Sequence, residues 1–100
     1  MNRTWGAVVS LETYWNENLA YTISPRSGPL RQLQTLRDVS DALQADLPKA
    51  MLRRPDWIEV GILVVQASES GAPRDVRVAT DHLVDLIERH GWMDRPRLAR

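Results

Sequence analysis

Few residues in this chain can do proton or metal chemistry. His82 and His90 are the only histidines, and there is no cysteine. Without Cys, disulfides and thiolate metal sites are excluded. The two histidines sit eight residues apart in a segment patterned as a helix. That spacing separates them by two turns and about 80° of arc, too far to share one ion. His82 with Asp85 offers two ligands one turn apart, but a closed site needs a third and fourth from elsewhere. A surface histidine among acids is the simpler reading. Ser68 or Ser70, with His82 and Asp81, supplies the residue types of a hydrolytic triad. No nucleophile elbow surrounds either serine, and no Gly-rich turn offers an oxyanion hole. Asp81 and Asp85 fit a solvated helix face better than a catalytic pair. Gly61 and Gly71 do not open a strand-to-helix phosphate loop. The sequence therefore designates no catalytic, cofactor-binding or metal-binding residue, and implies no cofactor.

Binding chemistry is better represented. Lys49, Arg53 and Arg54 form a short basic cluster, and Arg95, Arg97 and Arg100 load the C-terminal tail. With the helix–break–helix pattern from Asp56 to His90, this invites a nucleic-acid reading. The last helix opposes it. Arg74, Arg77 and Arg89 are outnumbered there by Asp75, Asp81, Asp85 and Glu88, so phosphates would be repelled. The whole chain carries 13 basic and 13 acidic residues and no formal net charge. Nucleic acid is thus the lesser alternative. The aromatic residues point to protein contacts. Four tryptophans stand in a chain without Phe. Trp57 heads an apolar segment and reads as core, and Trp92 follows a helix-ending Gly91. Tyr14 and Trp15 lie in a polar loop and are the candidate interface, since exposed Trp and Tyr are common anchors. Aromatics folded over the sheet are the competing reading.

The elements that must hold these residues follow from pattern. Ala7–Leu11 and Leu19–Ser24 read as strands, with Glu12–Asn18 connecting them and Leu30–Leu33 as a candidate third. Thr35-Leu36-Arg37-Asp38 matches a capping pattern, and Leu36, Val39, Leu43 and Leu47 recur at helical spacing until Pro48. This predicts a helix over 36–46. Pro55-Asp56 opens a second, over 56–69, started either by Asp56 as cap or by Arg54 before Pro55. Ile58 to Val65 is apolar in both parities, and helix and strand compete there. Element length and the short links to its neighbours favour helix. Pro73 starts a third, over 73–90, with Val76, Ala79, Leu83, Leu86 and Ile87 inward. Arg77–Asp81 and Asp85–Arg89 are i,i+4 pairs on it. Gly91 stands where a left-handed cap residue belongs.

One hundred residues suffice for one domain with its own core. The longest run of large apolar residues, Ile62–Val65, is far short of a membrane span. No signal-peptide-like stretch follows Met1. A cytosolic address is expected.

The order of these features resembles a family of small bacterial proteins, the domain of unknown function 982 family. The matching residues are the early Trp5 before Val8-Val9, and the strand–cap–helix ending in Leu47-Pro48. A basic spacer, a buried helix, a Gly/Pro break and a last apolar helix follow. The resemblance covers most of the chain and implies a small α+β architecture, with no assigned activity or site residues. The expectation is thus an α+β domain over residues 1–93. Two or three short antiparallel N-terminal strands precede a three-helix unit, and residues 94–100 form a disordered tail. Its expected role is a non-enzymatic interaction or regulatory protein, with an unidentified protein or a second copy of itself as partner.

Overall fold

The computed structural model describes residues 13–93. Strands β1 (Asn18–Ile23) and β2 (Leu33–Thr35) precede helices α1 (Leu36–Ala45), α2 (Lys49–Leu52), α3 (Pro55–Ser70) and α4 (Pro73–Arg89). The fold is α+β, with antiparallel strands first and helices after, as expected. The strand expected at residues 7–11 and the tail from residue 94 lie outside the described residues.

β1 and β2 pair antiparallel, with Asn18 opposite Thr35 and Ile23 opposite Leu33. Six residues run against three, so the register is irregular between those pairs. β2 begins later than the expected run at 30–33. Its end coincides with the helix cap, because a cap residue is itself extended: Thr35 has φ −125° and ψ 167°. The capping box is complete. Thr35 Oγ1 accepts the Asp38 N–H at 3.1 Å, and Asp38 Oδ2 accepts the N–H groups of Thr35 and Gln34 at 3.1 and 2.9 Å. The N–H groups of Leu36 and Arg37 donate to the carbonyls of Glu17 and Trp15 at 3.0 and 2.8 Å. Four orphan donors stand at any helix start, and the 15–17 turn takes two of them here.

α1 ends at Ala45, before Pro48, as the sequence predicts. Its C-cap, Asp46, is gripped by Arg31 through two guanidinium bonds of 2.8 Å each. Those bonds hold the Asp46 carboxyl below the usual carboxylate range. The basic spacer that follows is not irregular. Lys49 to Leu52 form a one-turn helix behind Pro48.

α3 settles the ambiguous segment, since Ile58–Val65 is helical. Of the two expected starts, Arg54 is the N-cap with Pro55 at the first turn, and no side chain caps it. α3 ends on Gly71, φ +64°, where a Cβ would come within 2.7 Å of the Tyr14 ring. α4 closes with paired bonds from the Gly91 N–H to Glu88 O and from the Trp92 N–H to Ile87 O, at 2.9 and 3.1 Å. That is the Schellman arrangement, with Gly91 at φ +78°. Trp92 folds back over the turn, its ring 4.6 Å from that of His90 and 6.2 Å from that of Trp57.

The core lies between the two strands and the inner faces of α1, α3 and α4. Ile23, Leu33, Leu36, Val39, Trp57, Val60, Leu83 and Ile87 are almost fully enclosed. Thr80 ties the sheet to α4: buried, it donates to Val76 O at 2.7 Å and accepts the Ala20 N–H of β1 at 3.1 Å. Tyr21 donates to Asp81 at 2.7 Å. Partial burial, and then that bond, push its pKa up to about 12.

Candidate functional site

α3 carries apolar side chains on opposite sides. Trp57, Val60, Val64, Ala67 and Ser68 face the core. Ile58, Ile62 and Val65 point away from it, 47, 53 and 44% exposed. Their i, i+4, i+7 spacing confines them to about 60° of the helix surface. α4 has a single exposed large apolar side chain, Val78. Surface apolar residues scattered singly are ordinary, whereas these three are aligned on one side of a single helix.

The row borders a groove between α1 and α3. Its volume is about 130 Å³, and Trp15, Ser40, Leu43, Gln44, Gly61, Val64 and Val65 line it. Gly61 stands beside the row at mid-helix with ordinary helical backbone. A Cβ built there would meet nothing within 4 Å. No packing within the described residues therefore requires glycine, although glycine costs about 1 kcal/mol relative to Ala in a helix.

The candidate interface residues divide. Trp15 is not fully exposed as expected. It is half-buried against the core and forms one wall of the groove, because the bond from Arg37 to its carbonyl pins it to the start of α1. Tyr14 is 45% exposed and packs over Gly71, with its N–H donating to Ser68 O at 2.6 Å. By composition the candidate interface, Tyr14 and Trp15, lies before the helical unit. The structure moves the largest outward apolar row onto α3 itself. The sequence did hold a signal for this: apolar residues in both parities around a glycine.

Lys49, Arg53 and Arg54 are exposed on α2 and the link to α3. Arg54 lies 3.9 Å from Asp56, so part of its charge is met within the chain. The expected pairs on α4 are formed, Arg77–Asp81 at 3.6 Å and Asp85–Arg89 at 2.6 Å.

Two other concavities flank α4. A small one of about 50 Å³ between α3 and α4 is lined by Asp56, Glu59, Val60, His82, Asp85, Leu86 and Arg89. In it His82 Nε2 faces Glu59 Oε2 at 3.6 Å. Among the described residues, no group of three or more His, Asp or Glu side chains is disposed to hold a metal ion. His90 is elsewhere, in a three-ring cluster with Trp57 and Trp92, its ring centroid 5.7 and 4.6 Å from theirs. A wider cleft of about 310 Å³ between β1 and the start of α4 is lined by Glu17, Asn18, Leu19, Ala20, Pro73, Val76 and Arg77. Among the described residues, Tyr21, Arg31 and Asp46, whose pKa values are displaced, line none of these three concavities. Ser68 donates to Val65 O at 2.7 Å and Ser70 to Asp75 at 2.6 Å, whereas His82 faces Glu59.

Searches against family models, curated proteins and solved structures found no match for this chain. Among the described residues, no helix is long and apolar enough to cross a membrane.

Proposed function

We propose that this protein is a small non-enzymatic interaction domain that engages a protein partner through the outward face of α3 and the adjoining α1–α3 groove. One observation carries the reading. Ile58, Ile62 and Val65 are aligned, apolar and about half-exposed on a helix whose other side already fills the core. Association would remove that row from water, at roughly 25 cal/mol per Å² of apolar surface before the costs of binding. Trp15 belongs to the same surface as a rigid aromatic wall, and Tyr14 lies outside it. The resemblance to the domain of unknown function 982 family adds a bacterial setting to this proposal and no activity.

A photo-crosslinking residue at position 62, compared with one at the exposed position 74 on α4, tests the reading in the full chain within cells. Protein adducts at 62 and not at 74 are expected. Equal yields at the two positions, or none at 62, would overturn it.

A further inference from the structure

The outward face of α3 is self-complementary, and we infer that its partner is a second copy of this chain, docked with the two α3 helices antiparallel about a two-fold axis between Gly61 and Ile62. The inference rests on the reading of that face as a contact surface and specifies its occupant.

Three pairings follow from placing the axis there. In an antiparallel pair related by a two-fold, residues equidistant from the axis on opposite sides face each other. Ile62 of the second copy then meets Gly61, the one position on the row's flank without a side chain. Ile58 meets Val65, apolar against apolar. Arg54 meets Glu69, base against acid. Each pairing occurs twice by symmetry. Ile58, Gly61, Ile62, Val65 and Glu69 fall within about 100° of arc on α3, and Arg54 stands at its N-cap, so one contact can engage them together.

Gly61 is the first argument. It weakens α3, and no neighbour within the described residues needs its space. A partner helix crossing at that point does need it, because a missing side chain lets two backbones approach and gives the facing Ile62 a seat. Charge is the second argument. Arg54 has a guanidinium 58% exposed, with only a 3.9 Å contact to Asp56. Glu69 is exposed and forms no ion pair among the described residues. Parallel docking would set Arg54 against Arg54 and Glu69 against Glu69. Antiparallel docking satisfies both ends.

The area sets the strength. A stable interface covers about 800 Å² per partner. Three half-exposed side chains on one helix fall well short of that, so a weak, reversible dimer is expected.

Sedimentation equilibrium of the full chain across a concentration series tests this. The native protein should pass from monomer to dimer. Arg54→Glu and Glu69→Arg should each weaken association at least tenfold, because each sets like charges together twice. An equimolar mixture of those two single variants should recover it, since both facing pairs are then opposite in sign. Both substitutions favour the helix macrodipole, so the monomer fold is preserved. Gly61→Leu, which meets open space in one chain, should abolish the dimer, with helical circular dichroism unchanged. A protein monomeric throughout the series overturns the inference, as does a dimer indifferent to Gly61→Leu and to the charge swaps. Crosslinks from position 62 to other proteins, with none to a second copy, would overturn the self-pairing and leave the interaction surface standing. Crosslinks from 62 to residues 1–12 of the same chain would overturn both.

Discussion

α3 and α4 are nearly equal in length and start alike, each with proline in the first turn and no side-chain cap. Each is also followed by a glycine with positive φ, Gly71 and Gly91. Their surfaces differ. α4 is amphipathic: Val76, Ala79, Leu83, Leu86 and Ile87 are buried, and Arg77, Asp81, Asp85 and Arg89 form ion pairs in water. α3 buries an equivalent stripe and then repeats the apolar pattern outward. One helix has a face for the core and a face for solvent. The other has a face for the core and an apolar row exposed on its outer side.

Truncations test that contrast most strongly. Leu83→Ala on α4 removes a fully enclosed side chain and should cost about 2–5 kcal/mol in chemical denaturation. Ile62→Ala on α3 should shift the same midpoint by no more than about 0.5 kcal/mol at dilute, monomeric concentration. A large loss at Ile62 would mean that the face is part of the folded core. Glycines come next. Gly71→Ala forces a left-handed backbone onto a residue with a Cβ and drives that Cβ into the Tyr14 ring, at a cost of about 1–3 kcal/mol. Helix starts supply the third test. α1 is held by a reciprocal box that α3 and α4 lack, so Thr35→Ala should cost about 1 kcal/mol. Gly61→Ala should act in the opposite direction to Gly71→Ala. It should raise monomer stability by up to about 1 kcal/mol, because space and backbone both permit a methyl.

The smallest effect is one of pH. Tyr21 has its pKa raised in the folded state, so its contribution is complete below pH 10. It fades as pH rises towards about 12, where the folded phenol ionises. Spectroscopic titration should show a tyrosinate component arriving late, and Tyr21→Phe should remove it. Asp46 behaves in the reverse sense. Its lowered pKa makes the Arg31 contact stabilising above the ordinary carboxylate range, and that contribution is lost on acidification.

The contrast also explains what the sequence could disclose. α4 was legible because inside and outside differ in chemistry, so period, caps and ion pairs agreed. α1 was legible for the same reason, and its Thr35–Asp38 box fixed its start to the residue. α3 reads as a helix over 56–69 from its length and short links rather than from its period, because an outward row of Ile and Val blurs the period that separates helix from strand. β2 was displaced because a strand that runs into an N-cap has no punctuation between them. α2 was missed because one turn of Lys-Ala-Met-Leu is too short to show a face. The Tyr14-Trp15 loop was visible as composition. The chain order could not show that Trp15 would be bonded to the start of α1 and set beside Gly61. The placement of Arg54 and Glu69 at opposite ends of one side of α3 was equally hidden, since it becomes evident only once the helix is formed.

The ring stack at the end of α4 gives the protein an optical label of its own. Trp57 and Trp92 are 6.2 Å apart, with their planes inclined at 32°. Indoles that close couple their electronic transitions and leave a paired signature in far-ultraviolet ellipticity. The loop at Arg26 and Ser27 donates two N–H groups to the Trp92 carbonyl, at 2.7 and 3.1 Å, so docking of that distant loop helps to seat the second chromophore. The amplitude of the couplet thus registers that docking, separately from helix content.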